Sequence, residues 1–544
     1  MALQSVSSTN QALTLIHSSS DWLVARRFQI LFLLLLLQVV TFCLQGIWVE
    51  DFWEHSAAVG ELIRHPFNPG HPQLDVSAAH TFLNPYTFVV AQFARLFQLD
   101  AISALSIFGV INFCLFCYGL HAFISSLQIR NRTSSLQSRN VDNNALTFYA
   151  LLLILFLWGG KPWPYSGFFN YDIFFWNLAY PSTFIGGLSL LGLAFNARHQ
   201  FERNYLYLAV LIALTTTALL THPLTAQFLL IGFFAQIFTT QPTPGGQQIT
   251  RSVQFIALSR IAIIFVASLA IATRWPFYPI LELFQGASKV YDISNGDMYF
   301  HLLTRTWPFM VLAPLFLWML LKPALRPLLI IFVVTATIYG LGYVTERYSF
   351  GRIVSYTIIV IQIACAVAVF QFERWLQGSA PRIARFGQIA TLLLLLFWAS
   401  HWAPSSISRL LTAGNSVWLD RTVSNQIIYK DYLFLPSHIA PQAVVFADIE
   451  TSWFIPSFEA KVVAADHPLA FVKDAEQRRE DVIKFFEQQT TAQERTALLQ
   501  KYQAKYLLLN KQLNTAWAQI YSHFSNITPN AVLFENEKFV LIKI

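Results

Sequence analysis

Between positions 50 and 55 the chain reads Glu50, Asp51, Phe52, Trp53, Glu54, His55, placing three carboxylates and an imidazole directly after its first long apolar run. If a helix continues through this stretch, Asp51, Glu54, His55 and Ala58 share one face at spacings i, i+3, i+4 and i+7. Carboxylates crowded in this way repel one another, so either one pKa rises toward neutrality or a cation is recruited. The first outcome suits a general base and the second a metal site. Asp51, Glu50, Glu54 and His55 are therefore the candidate catalytic group, and Asp51 with Glu54 the candidate ligands of a divalent metal, the one cofactor these residues suggest. The plainer alternative is a solvated helix end with its charges at headgroup level.

The residues that follow are stiffened and rich in histidine: His65, Pro66, Phe67, Asn68, Pro69, Gly70, His71, Pro72, then Asp75, His80 and Asn84, Pro85, Tyr86. Proline and glycine fix a definite path, which a disordered loop does not need. No HExxH spacing occurs here, so His80 fits an anionic or polyol substrate better than zinc. His222 sits in a tight turn before Pro223, either facing the compartment of Asp51 or capping backbone groups. Arg347 and Arg352 stand at the start of a later apolar run, where the guanidinium fork matches two phosphate oxygens; an alternative for Arg347 is charge balance with Glu346. His80, His222, Arg347 and Arg352 are thus the candidate substrate-binding residues. Segment 274–305, with Glu282, Lys289, Asp292, Asp297 and His301, is long enough to form a lid. Aromatics of segment 158–180 (Trp163, Tyr165, Tyr180 among them) suit an interfacial belt or the stacking of sugar rings.

What positions these residues is a membrane. Of 544 residues 55% are hydrophobic and 12% charged, against about 25% charged in soluble domains. A soluble globular protein is excluded. The net charge of +7 lies mostly in short loops between apolar runs, so it records topology and not nucleic-acid binding. Apolar segments at 28–48, 101–127, 145–158, 181–197, 204–221, 223–239, 252–272, 307–321, 327–344, 351–371 and 386–402 predict about eleven transmembrane helices. Arg26 and Arg27 before the first, and Arg130, Arg132 and Arg139 after the second, put both ends in the cytoplasm and residues 50–100 in one external loop. Within it, 86–97 is too short to span and carries Arg95, as an interfacial amphipathic helix does. All four cysteines lie in apolar runs, which leaves no disulfide framework.

Past residue 402 the long apolar runs end. Residues 403–544 predict a soluble α/β domain, placed outside by the odd number of spans: strands at 443–446, 461–464 and 506–509, a helix at 475–488, a capping box from Thr491 to Glu494, and a hairpin of 531–534 with 538–542. No glycine-rich phosphate loop occurs in it.

The order of elements in 48–127, an acidic residue after the first span, a loop of histidine and proline, a helix led by Pro85 and Tyr86, a polar break at Asp100 and a span followed by arginines, resembles the GT-C superfamily of integral-membrane glycosyltransferases. That superfamily includes oligosaccharyltransferase catalytic subunits, protein O-mannosyltransferases and the aminoarabinose transferases of lipid A. The resemblance covers the whole chain in layout, but no WWDxG motif occurs, which argues against an oligosaccharyltransferase. It implies that the acidic residue of the first external loop is catalytic base or metal ligand; Asp51 matches that position, with Glu50 as rival. It implies transfer of a sugar from a polyprenyl-phosphate-linked donor to a glycan, lipid or protein acceptor, among membrane lipids, on the outer side of a bacterial inner membrane. The chemistry is consistent: a leaving phosphate needs arginine and an acceptor hydroxyl needs a carboxylate. Two other classes stay open. A secondary transporter or lipid flippase would show repeats and ionisable groups at mid-membrane, whereas the charges here gather at the external face. A non-catalytic assembly protein would keep the layout without the chemistry.

Overall fold

The computed structural model describes residues 22–46, 48–127, 136–199, 204–238, 251–413, 428–525 and 530–544; Arg130 and Arg132 fall outside them. Each apolar segment expected from hydropathy is occupied by a helix. In chain order the main helices are α1 (Arg27–Gln45), α2 (Phe52–Arg64), α3 (Pro85–Phe97), α4 (Ala101–Ser126), α5 (Leu136–Phe156), α6 (Pro181–His199), α7 (Tyr205–Thr221), α8 (Pro223–Gln236), α9 (Arg251–Ala272), α10 (Leu302–Leu320), α11 (Arg326–Val344), α12 (Val354–Ser379) and α13 (Pro381–Ala413). Among the described residues six helices are long and apolar enough to cross a membrane.

Local chemistry sets the helix ends around the first loop. Gly46 adopts φ 64°, ψ 35° and closes α1 by donating its N–H to the Phe42 carbonyl, the left-handed stop that glycine accepts without Cβ strain. The first helix therefore does not run on into the acidic cluster. A new helix, α2, starts at Phe52 with Asp51 at its N-cap position. Asn84 caps α3 by accepting from the N–H groups of Tyr86 and Thr87, with Pro85 in the first turn. Helix α3 buries Tyr86, Val90, Ala91 and Ala94 and exposes Val89, Leu96 and Phe97, the two-faced character expected of an interfacial helix. Asp100, the polar break, caps α4 by accepting from Ser103 N–H at 2.9 Å. Helices α4 and α6 approach through glycine: a Cβ on Gly119 would lie 2.5 Å from the Gly187 carbonyl oxygen. The last apolar helix, expected to end near 402, continues to Ala413 through Pro404.

At one end of the bundle a single carboxylate ties four helices together. Glu373 of α12 takes Arg27 of α1 at 3.0 Å and Tyr149 of α5 at 2.5 Å, and also accepts from Gln377 and from Gln388 of α13.

The chain ends in a five-stranded sheet, β1 (Val444–Phe446), β2 (Lys461–Val462), β3 (Tyr506–Asn510), β4 (Val532–Glu535) and β5 (Phe539–Lys543), in the order β2-β1-β3-β5-β4. β1 runs parallel to both β2 and β3, while β3–β5 and β5–β4 are antiparallel. Side chains alternate between two buried faces. Phe446, Leu507, Leu509, Val540 and Ile542 pack against Val482, Phe485, Leu499 and Ile520 of the helices that follow. On the other face, Val445, Leu508 and Leu541 join the apolar core that contains Trp53 and Tyr86. One face of the sheet thus rests on the membrane module.

Candidate functional site

The site forms at the break between α1 and α2. Glu50 sits at φ 52°, a left-handed conformation that non-glycine residues rarely hold, and its carbonyl accepts from Trp453 Nε1 at 3.1 Å. The hydroxyl of Tyr180 accepts from Phe52 N–H at 3.2 Å and donates to the Val49 carbonyl at 2.8 Å. These contacts fix the break before α2. Asp51 occupies the N-cap position without capping; its carboxylate accepts no hydrogen bond from the helix.

One turn on, Glu54 is 1% exposed. Its Oε1 accepts from Gln73 Nε2 at 3.1 Å, while Oε2 lies 3.2 Å from His467 Nδ1 and accepts no hydrogen bond. Burial, reinforced by Asp51 and Asp466 and opposed by His467 and Gln73, pushes its pKa up to about 7. Burial also raises Glu50, helped by the Asp51 charge. His55 is driven the other way, to about 4, by burial between Phe82 and Tyr180. It is neutral at physiological pH.

Asp51, His55, His222 and Arg352 line one cavity of about 250 Å³ together with Tyr291 and His467. Half of the eight side chains expected from sequence thus share a single space. His222 does both things expected of it: it closes α7 and its Nδ1 accepts from Thr225 N–H at 3.3 Å, and it also forms part of the cavity wall. Arg352 donates through Nε to Asn295 Oδ1 at 2.6 Å and through Nη1 to Ser166 Oγ at 3.3 Å, with its plane 5.2 Å from the Tyr165 ring centre. No carboxylate stands within ion-pair distance of it among the described residues. Two of the aromatics of segment 158–180 act as platforms for guanidinium groups, since Trp163 lies beneath Arg305 as Tyr165 does beneath Arg352.

The other expected residues stand apart from this cavity. Glu54 is behind the wall, and Glu50 contributes its backbone. His80 belongs to a separate small pocket with His71, ring centres 4.8 Å apart, and its Nδ1 accepts from Phe82 N–H. Burial holds it well below the ordinary histidine pKa. Arg347 lies 3.8 Å from the Asp292 carboxylate, not balanced by Glu346 as the sequence suggests. Segment 274–305 is folded, with Asp292 accepting from Ser349 N–H at 2.9 Å and Asn295 holding Arg352.

Two participants come from the C-terminal region and carry no local sequence signal. His467 enters the cavity wall. Lys461 on β2 donates to Glu61 Oε2 at 2.9 Å and to the His71 carbonyl at 2.6 Å, buried on both sides. Glu61 also takes Gly70 N–H at 3.0 Å and Arg64 at 3.2 Å, and Val462 N–H donates to the Gln73 carbonyl at 2.8 Å. The first loop and the sheet edge are thus stitched together beside the cavity.

No family model and no curated protein matches this chain. Among solved structures, ArnT from Cupriavidus metallidurans bound to undecaprenyl phosphate superimposes with a TM-score of 0.51 at 13% sequence identity, covering 95% of this chain and 98% of that one. The oligosaccharyltransferase of Archaeoglobus fulgidus, solved in the apo form and tethered to an acceptor peptide, is more distant: TM-scores are 0.44 and 0.43 at 10% identity, over 90% and 89% of this chain and 70% of the other. The chain is a polytopic helical membrane protein with a small C-terminal sheet. Its fold is that of ArnT.

Proposed function

We propose that this protein is a membrane glycosyltransferase that moves a sugar from a polyprenyl-phosphate-linked donor to a glycan, lipid or protein acceptor on the outer side of a bacterial inner membrane. The observation that carries the proposal is a single cavity holding Arg352, a half-buried guanidinium whose hydrogen bonds go to Asn295 and Ser166, and Asp51, a carboxylate without a capping role. A guanidinium on the wall of a cavity, with no described carboxylate at ion-pair distance, is placed to meet an anion through its remaining N–H groups. A fold neighbour solved with undecaprenyl phosphate supports a lipid phosphate as that anion.

In this scheme Arg352 holds the donor phosphate, assisted by His222. The Nδ1 of His222 is occupied by Thr225 N–H, which leaves Nε2 to donate. Asp51 takes the proton of the acceptor hydroxyl as its oxygen bonds to the anomeric carbon, and the carbon–oxygen bond to phosphate breaks with the electron pair leaving on the phosphate. Residues 1–402 act as the membrane module and 403–544 as an extracytoplasmic domain, with the amino terminus in the cytoplasm.

The test pairs binding with turnover in purified protein given a labelled polyprenyl-phosphate sugar. Asp51→Asn should lose about 10² to 10⁴ in transfer rate while retaining donor affinity. Transfer that survives in Asp51→Asn but fails in Glu50→Gln or Glu54→Gln would move the base to that neighbour; full activity in all three would remove the enzymatic reading.

A further inference from the structure

We propose that His55, Ser182 and Thr221 recognise the sugar of the donor, and that this sugar is a neutral one held through its hydroxyl groups. The assignment rests on the glycosyltransferase reading and narrows its substrate class.

Three residues on the cavity wall carry a buried polar atom that makes no hydrogen bond among the described residues: His55 Nδ1, Ser182 Oγ and Thr221 Oγ1. The residues are 4%, 1% and 7% exposed. Each belongs to a different helix, His55 and Ser182 to the first turns of α2 and α6, and Thr221 to the last turn of α7. Tyr180 links two of them, its ring centre 5.3 Å from that of His55 and its backbone just ahead of Ser182. Neighbouring hydroxyls on the same wall are engaged: Ser166 accepts from Arg352, Ser349 donates to Asp292 at 2.6 Å, and Tyr278 donates to the Leu220 carbonyl.

Buried polar atoms without partners cost free energy, and a wall that keeps three of them suits a ligand that brings the missing partners. Rotation about a single χ1 angle turns a serine or threonine hydroxyl from its packed side toward the cavity. Such a hydroxyl both donates and accepts, and a sugar hydroxyl answers it in both senses. Phosphate offers acceptors alone and is met by Arg352. An ammonium on the sugar needs a carboxylate, but Asp51 is the one carboxylate on the described wall and serves the acceptor. A carboxylate on the sugar needs a second guanidinium or ammonium, and the described wall holds none besides Arg352. His55 N–H donates to the Asp51 carbonyl at 3.0 Å, so this recognition surface begins one helical turn from the proposed base.

Full-length protein in detergent is titrated with polyprenyl phosphate bearing no sugar and with polyprenyl phosphates bearing glucose, mannose, galactose, arabinose, an amino sugar or a uronic acid; binding is read by displacement of radiolabelled polyprenyl phosphate. At least one neutral sugar should raise affinity over the bare lipid phosphate by about tenfold or more, and the charged sugars should not. Ser182→Ala and Thr221→Val should each lose about fivefold in affinity for that donor while binding the bare lipid phosphate as before. Thr221→Ser, which keeps the hydroxyl, should retain the gain. Neutral sugars that add nothing, a charged sugar that binds best, or variants that weaken bare lipid phosphate as much as the sugar donor overturn the proposal and leave lipid-phosphate binding in place. Failure of every polyprenyl phosphate to bind removes the glycosyltransferase reading itself, and this proposal with it.

Discussion

Glu61→Gln should detach the sheet edge from the first loop without unfolding the helical bundle. Glu61 is a hub: Lys461, Arg64, Gly70 N–H and Gln442 all donate to it, and the Lys461 side chain beside it is 5% exposed. Burial alone would raise this carboxyl, but Lys461, the Gly70 N–H and Arg64 outweigh it and hold the pKa at about 2. The amide keeps the shape and removes the charge, leaving the Lys461 ammonium buried against neutral carbonyls. Breaking a buried pair on one side costs about 3 to 5 kcal/mol, so opening of the junction should rise by about 10² to 10⁴-fold. Hydrogen exchange reads this directly, at the amide of Val462, whose partner is the Gln73 carbonyl. Exchange there should accelerate while that of α4 and α12 stays slow. Because the folded pKa lies below the unfolded value, the charge contribution is complete above about pH 4.5 and is lost as pH falls through about 2. Glu61→Leu combined with Lys461→Met should recover most of the protection, since removing both charges also removes the cost of burying them. Unchanged exchange at Val462 in Glu61→Gln, or a double variant worse than the single one, would refute the reasoning.

Arg352→Ala should weaken binding of a lipid phosphate by about tenfold or more, while Arg347→Ala, already near Asp292 and outside the cavity, should change it little; equal losses would place the phosphate elsewhere. Glu54 has the opposite linkage to Glu61: its folded pKa is raised to about 7, so metal-free protein should lose stability as pH rises from about 4.5 toward 7, a slope that Glu54→Gln abolishes in thermal melts. Glu373→Leu leaves Arg27 buried without its carboxylate and should cost about 3 to 5 kcal/mol, seen as a fall in melting temperature with the cavity residues untouched.

What the sequence made legible was local. Helix positions followed from apolar length, and the Thr491–Glu494 capping box was visible because a residue and the backbone it bonds lie within three positions; the caps made by Asn84 and Asp100 are equally local but were read only as a loop residue and a polar break. The strands and closing hairpin of the last domain were readable from alternation for the same reason. The break before α2 was missed because it depends on left-handed backbone at Gly46 and Glu50, and glutamate gives no sign of that. Arg347 was paired with Glu346 by adjacency, yet Glu346 is itself left-handed at φ 55° and the partner proved to be Asp292, over fifty positions away. His467 and Lys461 were invisible for a related reason: no periodicity links residues on a sheet edge to a loop near the other end of the chain.

The stitch between Glu61 and Lys461 joins positions separated by 400 residues, and that separation is also a delay. A ribosome adding about 5 to 20 residues per second needs about 20 to 80 seconds to follow the first loop with the strand that secures it. During that interval the nascent chain already exposes its acidic loop among lipids, but His467 has not been made. A product cut short anywhere before residue 461 lacks both the strand that secures the first loop and the His467 side of the cavity wall, so the cavity is complete only once nearly the whole chain has been made.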